Sequence, residues 1–429
     1  MVSVKVRIGL LGLGTVGIGV YQIIQNHQIQ LQQQVGCAVE VSKVLVRDVK
    51  KKREVEIPED ILTIDVNDII NNPNIDIVVE VLGGIHPTSE YVKQALKNKK
   101  HVVTANKDLI AQFGQELLKI AKDNQCDLFY EASVAGGIPI IRSLVDGLAS
   151  DKITKMLGIV NGTTNYILTK MTNEGTSYHD AVEQAKALGF AEADPSADVE
   201  GFDAARKMVI LSSLAFSMNI ELSDVYTAGI TNISKEDIEY AKQLGYTIKL
   251  LGLTTRRHGE VDVSVQPTLV PNHHPLATVE NEYNAVYIYG KAVGETMFYG
   301  PGAGGLPTAT SIVSDVVSVI KNMRLGVNGQ TITHQHNKRT IKTKDQIFSK
   351  YFMRINVKDE VGVFSKIANV FLENELSFET ILQKPNLNDR GAEIIIITHQ
   401  VSLQNFTNSL KAINQLPEVI GVQSSYRVE

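Results

Sequence analysis

The chain has 429 residues, 43% hydrophobic and 21% charged, which excludes a wholly disordered polymer and, at roughly 100–200 residues per domain, suggests two to four domains. Forty-two basic against 47 acidic residues leave a formal charge of −5, so there is no general electrostatic reason to bind nucleic acid or an anionic membrane. No apolar run reaches the roughly 18–20 residues of a membrane helix, and the N-terminal MVSVKVRIGLLGLG reads as a first strand running into glycines rather than a signal peptide.

Residues 4–11 (VKVRIGLL) are a buried-type strand, and 15–34 carry apolar residues at Val16, Val20, Ile23, Ile24 and Leu31, which predicts one helix with its glutamines in water. Strands follow at 39–47, 75–84 and 127–133, with a strand then loop at 101–107 and helices at 89–100 and 109–124. Strands separated by helices of this length predict βαβ units and a doubly wound parallel sheet over residues 1–133. Residues 134–325 differ. A helix starts at the glycines of 134–148, a strand opens 156–168, and helices cover 178–189 and 200–216. Antiparallel strands at 246–257 and 260–270 flank Arg257-His258-Gly259, and the glycine-rich turn of 300–320 feeds a helix. This is an α+β domain with a mixed sheet. Residues 326–349 are polar and weakly patterned, a linker, and residues 350–429 read βαββαβ, the order of a ferredoxin-like sandwich.

Gly12-Leu13-Gly14-Thr15-Val16-Gly17 fits GxGxxG after a strand and before a helix, the context in which a pyrophosphate approaches a helix N-terminus. At the end of the second strand, where an acidic residue would bind the ribose hydroxyls, Arg47 stands beside Asp48. A guanidinium there suits a 2′-phosphate, which favours NADP while leaving NAD open. The segment 189–207 holds Glu192, Asp194, Asp198, Glu200 and Asp203. Such clusters are as a rule solvated loops. Here Asp203 and Lys207 are i,i+4 on a predicted helix that continues as apolar MVILSSLAF, so the shared face is partly buried. A lysine beside a carboxylate can donate a proton to an oxyanion forming on a carbonyl, and the other carboxylates can hold an ammonium. Cys37 and Cys126 have no metal-like spacing and read as buried thiols of a reducing cytoplasm. His273-His274 and His334-Gln335-His336 read as surface pairs. Pro301 and Pro307 fix the backbone of the second glycine-rich turn.

The text GLGTVG (12–17), TANK (104–107), EASVAGGIPI (131–140), GIVNGTTNYIL (158–168), GFAEADPSADVEGFDAARK (189–207) and GPGAGGLPTATSIVSD (300–315) resembles the homoserine dehydrogenases, in order along the first 320 residues. The tail, with DEVGVFSKIANVF at 359–371, resembles an ACT domain. With no aspartokinase-like segment ahead of it, the chain resembles the monofunctional form. The resemblance implies reversible hydride transfer between NAD(P)H and L-aspartate 4-semialdehyde, giving L-homoserine for threonine and methionine synthesis. It implies that Leu13, Thr15 and Val16 beside the glycines, with Thr104, Lys107 and Gly304, contact the dinucleotide. It further implies that Glu192, Asp198 and Lys107 bind substrate, and that Lys207 transfers the proton with Asp203 and Lys107 beside it.

A monovalent cation, sodium by analogy, would lie on Glu131, Val134, Gly136 and Ile138; read without the resemblance, that segment is a glycine-bearing start of a helix. An end product, L-threonine, would bind the loop 359–363, unless that domain only assembles the enzyme, as a homodimer or homotetramer in the cytoplasm. Two other readings remain open: a dehydrogenase of another amino-acid aldehyde or alcohol, and an amino-acid sensor with vestigial catalysis.

Overall fold

The computed structural model describes residues 5–53, 55–330, 337–386 and 391–429; the start of the first predicted strand at Val4 and the pair His334 and His336 lie outside these. The first domain runs β1 (Val6–Leu11), α1 (Thr15–Asn26), α2 (Gln28–Val35), β2 (Val39–Leu45), β3 (Leu62–Thr63), α3 (Asn67–Ile70), β4 (Ile77–Glu80), α4 (Thr88–Lys97), β5 (His101–Thr104), α5 (Lys107–Asp123) and β6 (Leu128–Phe129). All pairings are parallel, in the order β3-β2-β1-β4-β5-β6. Ile8, Leu10, Ile77, Val78, Val79, Val102 and Val103 are buried because helices cover both faces, which is why these strands read as continuous apolar runs.

The single helix expected over 15–34 is two, redirected at His27, whose N–H still bonds the Ile23 carbonyl. The redirection brings Leu31 and Val35 into the core beside Cys37 and Val39 and leaves the glutamines outside. The strand expected over 127–133 shrinks to two residues before a tight turn at Glu131–Ser133, and α5 starts at Lys107, two residues earlier than its apolar pattern indicates.

The second domain holds α6 (Ile140–Arg142), β7 (Ile153–Ile159), α7 (Gly162–Glu174), α8 (Tyr178–Ala187), α9 (Ser196–Val199), α10 (Phe202–Phe216), β8 (Val225–Thr227), α11 (Lys235–Gln243), β9 (Tyr246–Arg257), β10 (Glu260–Pro271), β11 (Tyr283–Gly290), β12 (Gly294–Pro301) and α12 (Gly305–Leu325). The helix expected to start at the glycines of 134–148 begins only at Ile140: Ala135 and Gly136 take φ of 53° and 45°, a sharp turn outside helical space. His273 is exposed, while His274 is half-buried. Its ring accepts the Leu276 N–H, approaches the Tyr289 hydroxyl at 3.2 Å and lies against Tyr287. α12 packs on α1 of the first domain so closely that a Cβ on Gly19 would stand 2.7 Å from the Gly305 carbonyl.

The last part is β13 (Phe348–Lys358), α13 (Val363–Glu373), β14 (Phe378–Asn386), β15 (Gly391–Thr398), β16 (Val401–Ser402), α14 (Leu403–Ile413) and β17 (Val419–Val428). Its main strands lie in the order β17-β13-β15-β14, as a ferredoxin-like sandwich requires. This sheet is not separate from its neighbour. β17 pairs in parallel with β10 through Thr268–Arg427 and Leu269–Val428, giving one mixed sheet of 11 strands.

Candidate active site

The two glycine-rich turns lie side by side. Gly12 has φ 106° and its Cβ would stand 2.9 Å from the Val81 carbonyl; a Cβ on Gly17 would stand 2.3 Å from the Gly12 carbonyl. Both positions are closed to any larger residue. Gly14 is different: no atom lies within 4 Å of a Cβ built there, and it caps α1 with no side-chain acceptor. The free N–H groups of α1, with Leu13, Thr15 and Val16 around them, thus open onto space that suits a pyrophosphate. Gly304 caps α12 at φ 115°, and Gly305 packs against Thr15, so the second turn borders the same opening. Arg47 is exposed just beyond the end of β2.

Thr104 ends β5. It is fully buried, its hydroxyl donates to Glu80 Oε2 at 2.5 Å, and its oxygen accepts the Asn106 N–H, so the side chain ties β5 to β4. Glu80 also accepts the N–H groups of Leu82 and Gly83, and burial pushes its carboxyl above the usual range. Asn106 accepts the Leu109 N–H as the cap of α5 and donates to the Gly84 carbonyl at 2.6 Å. These bonds fix Lys107 as the first residue of α5, at the mouth of the cleft between the domains.

Across that cleft, α10 presents Asp203 and Lys207. Asp203 Oδ1 pairs with Lys107 Nζ at 2.8 Å, and Oδ2 with Lys207 Nζ at 2.7 Å. Lys207 also donates to the Val160 carbonyl at 2.7 Å. The Asn161 amide, which caps α7 through its oxygen, donates to Asp203 Oδ2 at 2.8 Å and to Asp198 Oδ1 at 2.7 Å. Burial pushes the Asp203 carboxyl up, but the two ammonium groups and the Asn161 amide outweigh it and hold it well below the usual carboxylate range. Burial pushes Lys107 down, yet Asp203 beside it leaves the ammonium titrating above its ordinary value. Asp198 goes the other way: burial, then the Asp203 charge, raise it.

Lys107, Asp203, Asp198 and Glu192 line one cavity of about 770 Å³ between the domains. Glu192 is exposed on its rim, and Arg206 bridges the same cleft to Asp108 at 2.7 Å. One carboxylate thus pairs with two ammonium groups beside an acid-lined chamber. Such a site can give a proton to an alkoxide and receive a cationic group.

The segment expected to hold a cation packs on the second glycine-rich turn, where a Cβ on Gly136 would stand 2.5 Å from the Gly302 carbonyl. Glu131 is buried and its carboxylate accepts the N–H groups of Ile141 and Arg142 at 2.7 and 2.8 Å. The Gly136 carbonyl accepts the Ser311 hydroxyl, and the Ile138 carbonyl the Ile140 N–H. Among the described residues no cluster of His, Cys, Asp and Glu has metal-binding form. The oxygens here are hard and mostly neutral, each carbonyl with a second lone pair, a donor set that suits a monovalent cation.

Comparison with known proteins decides the family. The model for the NAD binding domain of homoserine dehydrogenase matches residues 12–131, and that for homoserine dehydrogenase itself matches residues 139–317. A homoserine dehydrogenase of Bacillus subtilis (strain 168) is 58% identical over 425 residues, 99% of this chain and 98% of that protein. The chain belongs to the homoserine dehydrogenase family. It is an oxidoreductase that uses a nicotinamide cofactor to interconvert L-homoserine and L-aspartate 4-semialdehyde. The homoserine dehydrogenase of Thiobacillus denitrificans shares the fold at a TM-score of 0.92 and 36% identity, covering 99% of this chain and 98% of that one. A hyperthermophilic archaeal homoserine dehydrogenase in complex with NADPH matches at a TM-score of 0.63 and 28% identity, over 74% of this chain and 98% of its own.

Within this homoserine dehydrogenase fold, Asn161, Val160, Glu80 and Asn106 also shape the site, though no sequence motif assigns them a role there. Asn161 had a usable signal, since Asn before Gly-Thr-Thr is a helix cap. Its reach to Asp198 and Asp203 had none, because those contacts span 37 and 42 residues.

Proposed function

We propose that Lys207 protonates the alkoxide formed when L-aspartate 4-semialdehyde is reduced, and takes the proton back in the reverse direction. The nicotinamide supplies and receives the hydride when bound. Lys107 reaches the same point from the other domain and polarises the carbonyl or shares the proton, while Asp203 pairs with both ammonium groups and keeps that of Lys107 charged. Glu192 and Asp198 hold the substrate ammonium. The observation that carries this reading is the single buried carboxylate shared by two lysines of different domains.

The dinucleotide lies on Gly12, Leu13, Gly14, Thr15, Val16 and Gly17 and under Gly304, with Arg47 placed for a 2′-phosphate. NADP is the preferred cofactor in this reading, supported by the NADPH bound to the archaeal relative. A monovalent cation, sodium by family resemblance, would be held by Glu131, Val134, Gly136 and Ile138 and would brace the turn. The C-terminal domain is an ACT domain taking L-threonine at residues 359–363, where Gly362 (φ 91°) caps α13. The enzyme serves threonine and methionine synthesis in the cytoplasm as a homodimer or homotetramer.

The test is Lys207→Ala assayed with L-homoserine and NADP. Turnover should fall about 10²–10⁴-fold, the usual contribution of an acid–base group, with NADPH binding near normal. A near wild-type kcat would remove Lys207 from the chemistry.

A further inference from the structure

The polar stretch ahead of the C-terminal domain is more than a tether. Asn337 donates its side-chain amide to the Phe216 carbonyl at 2.7 Å and its backbone N–H to the Ser217 carbonyl at 3.1 Å, at the end of α10. The Val261 N–H of β10 donates to the Thr340 carbonyl at 2.9 Å, and Lys342 N–H returns to the Val261 carbonyl at 2.8 Å. The segment is therefore strapped at both ends to the domain that carries Asp203 and Lys207, and β13 follows it directly.

Between these attachments, Arg339 spreads its guanidinium over two carboxylates of one turn. Nη1 meets Glu221 Oε1 at 2.7 Å and Nη2 meets Asp224 Oδ1 at 2.5 Å. Asp224 is the anchor: its carboxylate is 8% exposed and also accepts the Glu221 N–H at 2.8 Å. Glu221 and Leu222 in turn line the cavity that holds Lys107 and Asp203. That cavity already carries Glu192, Asp194 and Asp198, so an unpaired Glu221 would be repelled from its own wall. A planar fork can neutralise Glu221 and Asp224 together and hold their spacing; an ammonium cannot do both.

We propose that Arg339 is a positioning residue for substrate binding. It holds the turn 221–224 as the outer wall of the substrate cavity and, through the strap 337–342, ties that wall to the place of the C-terminal domain. This rests on the reading of the cavity as the substrate site. The mechanism is mechanical and local: the strap's own hydrogen bonds set where the guanidinium stands, and the guanidinium sets where Glu221 and Leu222 stand.

The experiment uses the full chain and compares Arg339→Gln, Asp224→Asn and the double variant. KM for L-homoserine, KM for NADP, kcat and Tm are measured on each. Each single variant should raise the homoserine KM about 3–10-fold, the range of a partly exposed pair strengthened by its double contact, with the NADP KM unchanged. The double variant should be no worse than the worse single, since both break one linkage. Arg339→Lys, which keeps the charge and loses the fork, should fall between wild type and Arg339→Gln. An unchanged homoserine KM in Arg339→Gln overturns the proposal, and so does an equal rise in both KM values with a lowered Tm, which is the mark of a general structural role. If Lys207→Ala retains turnover, the cavity reading itself has failed; if Lys207→Ala is inactive and Arg339→Gln is silent, only the positioning role has failed.

Discussion

Asp203→Asn takes one charge and almost no volume from the point where both lysines meet. At 2.8 and 2.7 Å each ammonium attracts the carboxylate by about 6 kcal/mol at an effective dielectric of about 20. Burial of the groups consumes most of that, and a charge-assisted hydrogen bond nets about 1.5–3 kcal/mol. Losing one such interaction in the transition state lowers kcat/KM about 10–150-fold. The variant also lowers the pH at which Lys107 titrates. In the wild type the Asp203 charge overrides the burial that pushes Lys107 down. Without it burial is opposed only by the more weakly acting Asp108 and Asp198, and Lys107 loses its proton at lower pH than in the wild type. The basic limb of the kcat/KM profile for homoserine oxidation should therefore move to lower pH. Two ammonium groups left without their carboxylate also cost stability, about 3–5 kcal/mol for a broken buried pair, so Tm is followed in parallel. A variant within about two-fold of wild type, with an unmoved basic limb, would refute the idea that Asp203 holds both lysines in place and sets the charge of Lys107.

Arg47→Ala should weaken NADPH about 10–150-fold and spare NADH, since only the former carries a phosphate for the guanidinium. Equal losses in titrations of the two cofactors would show that Arg47 does not face the 2′-position. Asp198, raised by burial and by Asp203, takes up a proton at higher pH than an ordinary aspartate. The homoserine KM should accordingly rise early on the acid side, and Asp198→Asn should show a high KM that no longer depends on pH there. A wild-type acid limb retained in that variant would assign the dependence to another group.

What the sequence made legible was local. The strand before GLGTVG, the helix after it and the i,i+4 spacing of Asp203 and Lys207 each depend on neighbours along the chain, and each stands where the periodicity places it. The two glycine turns were legible as turns, and their common border at Gly305 and Thr15 was not, since nothing local couples residues so far apart. The partner of the Thr104 hydroxyl was hidden for a related reason. A threonine at the C-terminal end of a parallel strand suits cofactor contact, and only the buried Glu80 on the neighbouring strand reveals that the hydroxyl is already taken. The break at His27 and the late start of α6 follow from packing and backbone turns that apolar periodicity does not register.

The joint between the last two parts of the chain was equally invisible, and it changes how regulation can be tested. Asp237 of α11 has a carboxylate only 1% exposed, and it accepts Arg354 Nε at 2.8 Å, the Tyr426 hydroxyl at 2.8 Å and the Ser424 hydroxyl at 2.6 Å. Asp262 of β10 faces Arg427 at 3.3 Å, and Tyr240 donates to Glu393 at 2.6 Å. All of these partners lie after residue 349. Truncation there leaves two buried carboxylates without their guanidinium groups and strips β17 from β10. Each buried pair broken on one side costs about 3–5 kcal/mol, which in a chain of this size lowers Tm by about 4–7 °C. The truncated protein should thus lose stability and turnover together, with or without threonine, so insensitivity to threonine in that form is uninformative. Calorimetry of the truncated and full chains checks this. A truncated chain that melts with the full one and turns over at the same rate would mean that the Asp237 and Asp262 networks carry no stability, and that the C-terminal domain can be removed cleanly after all.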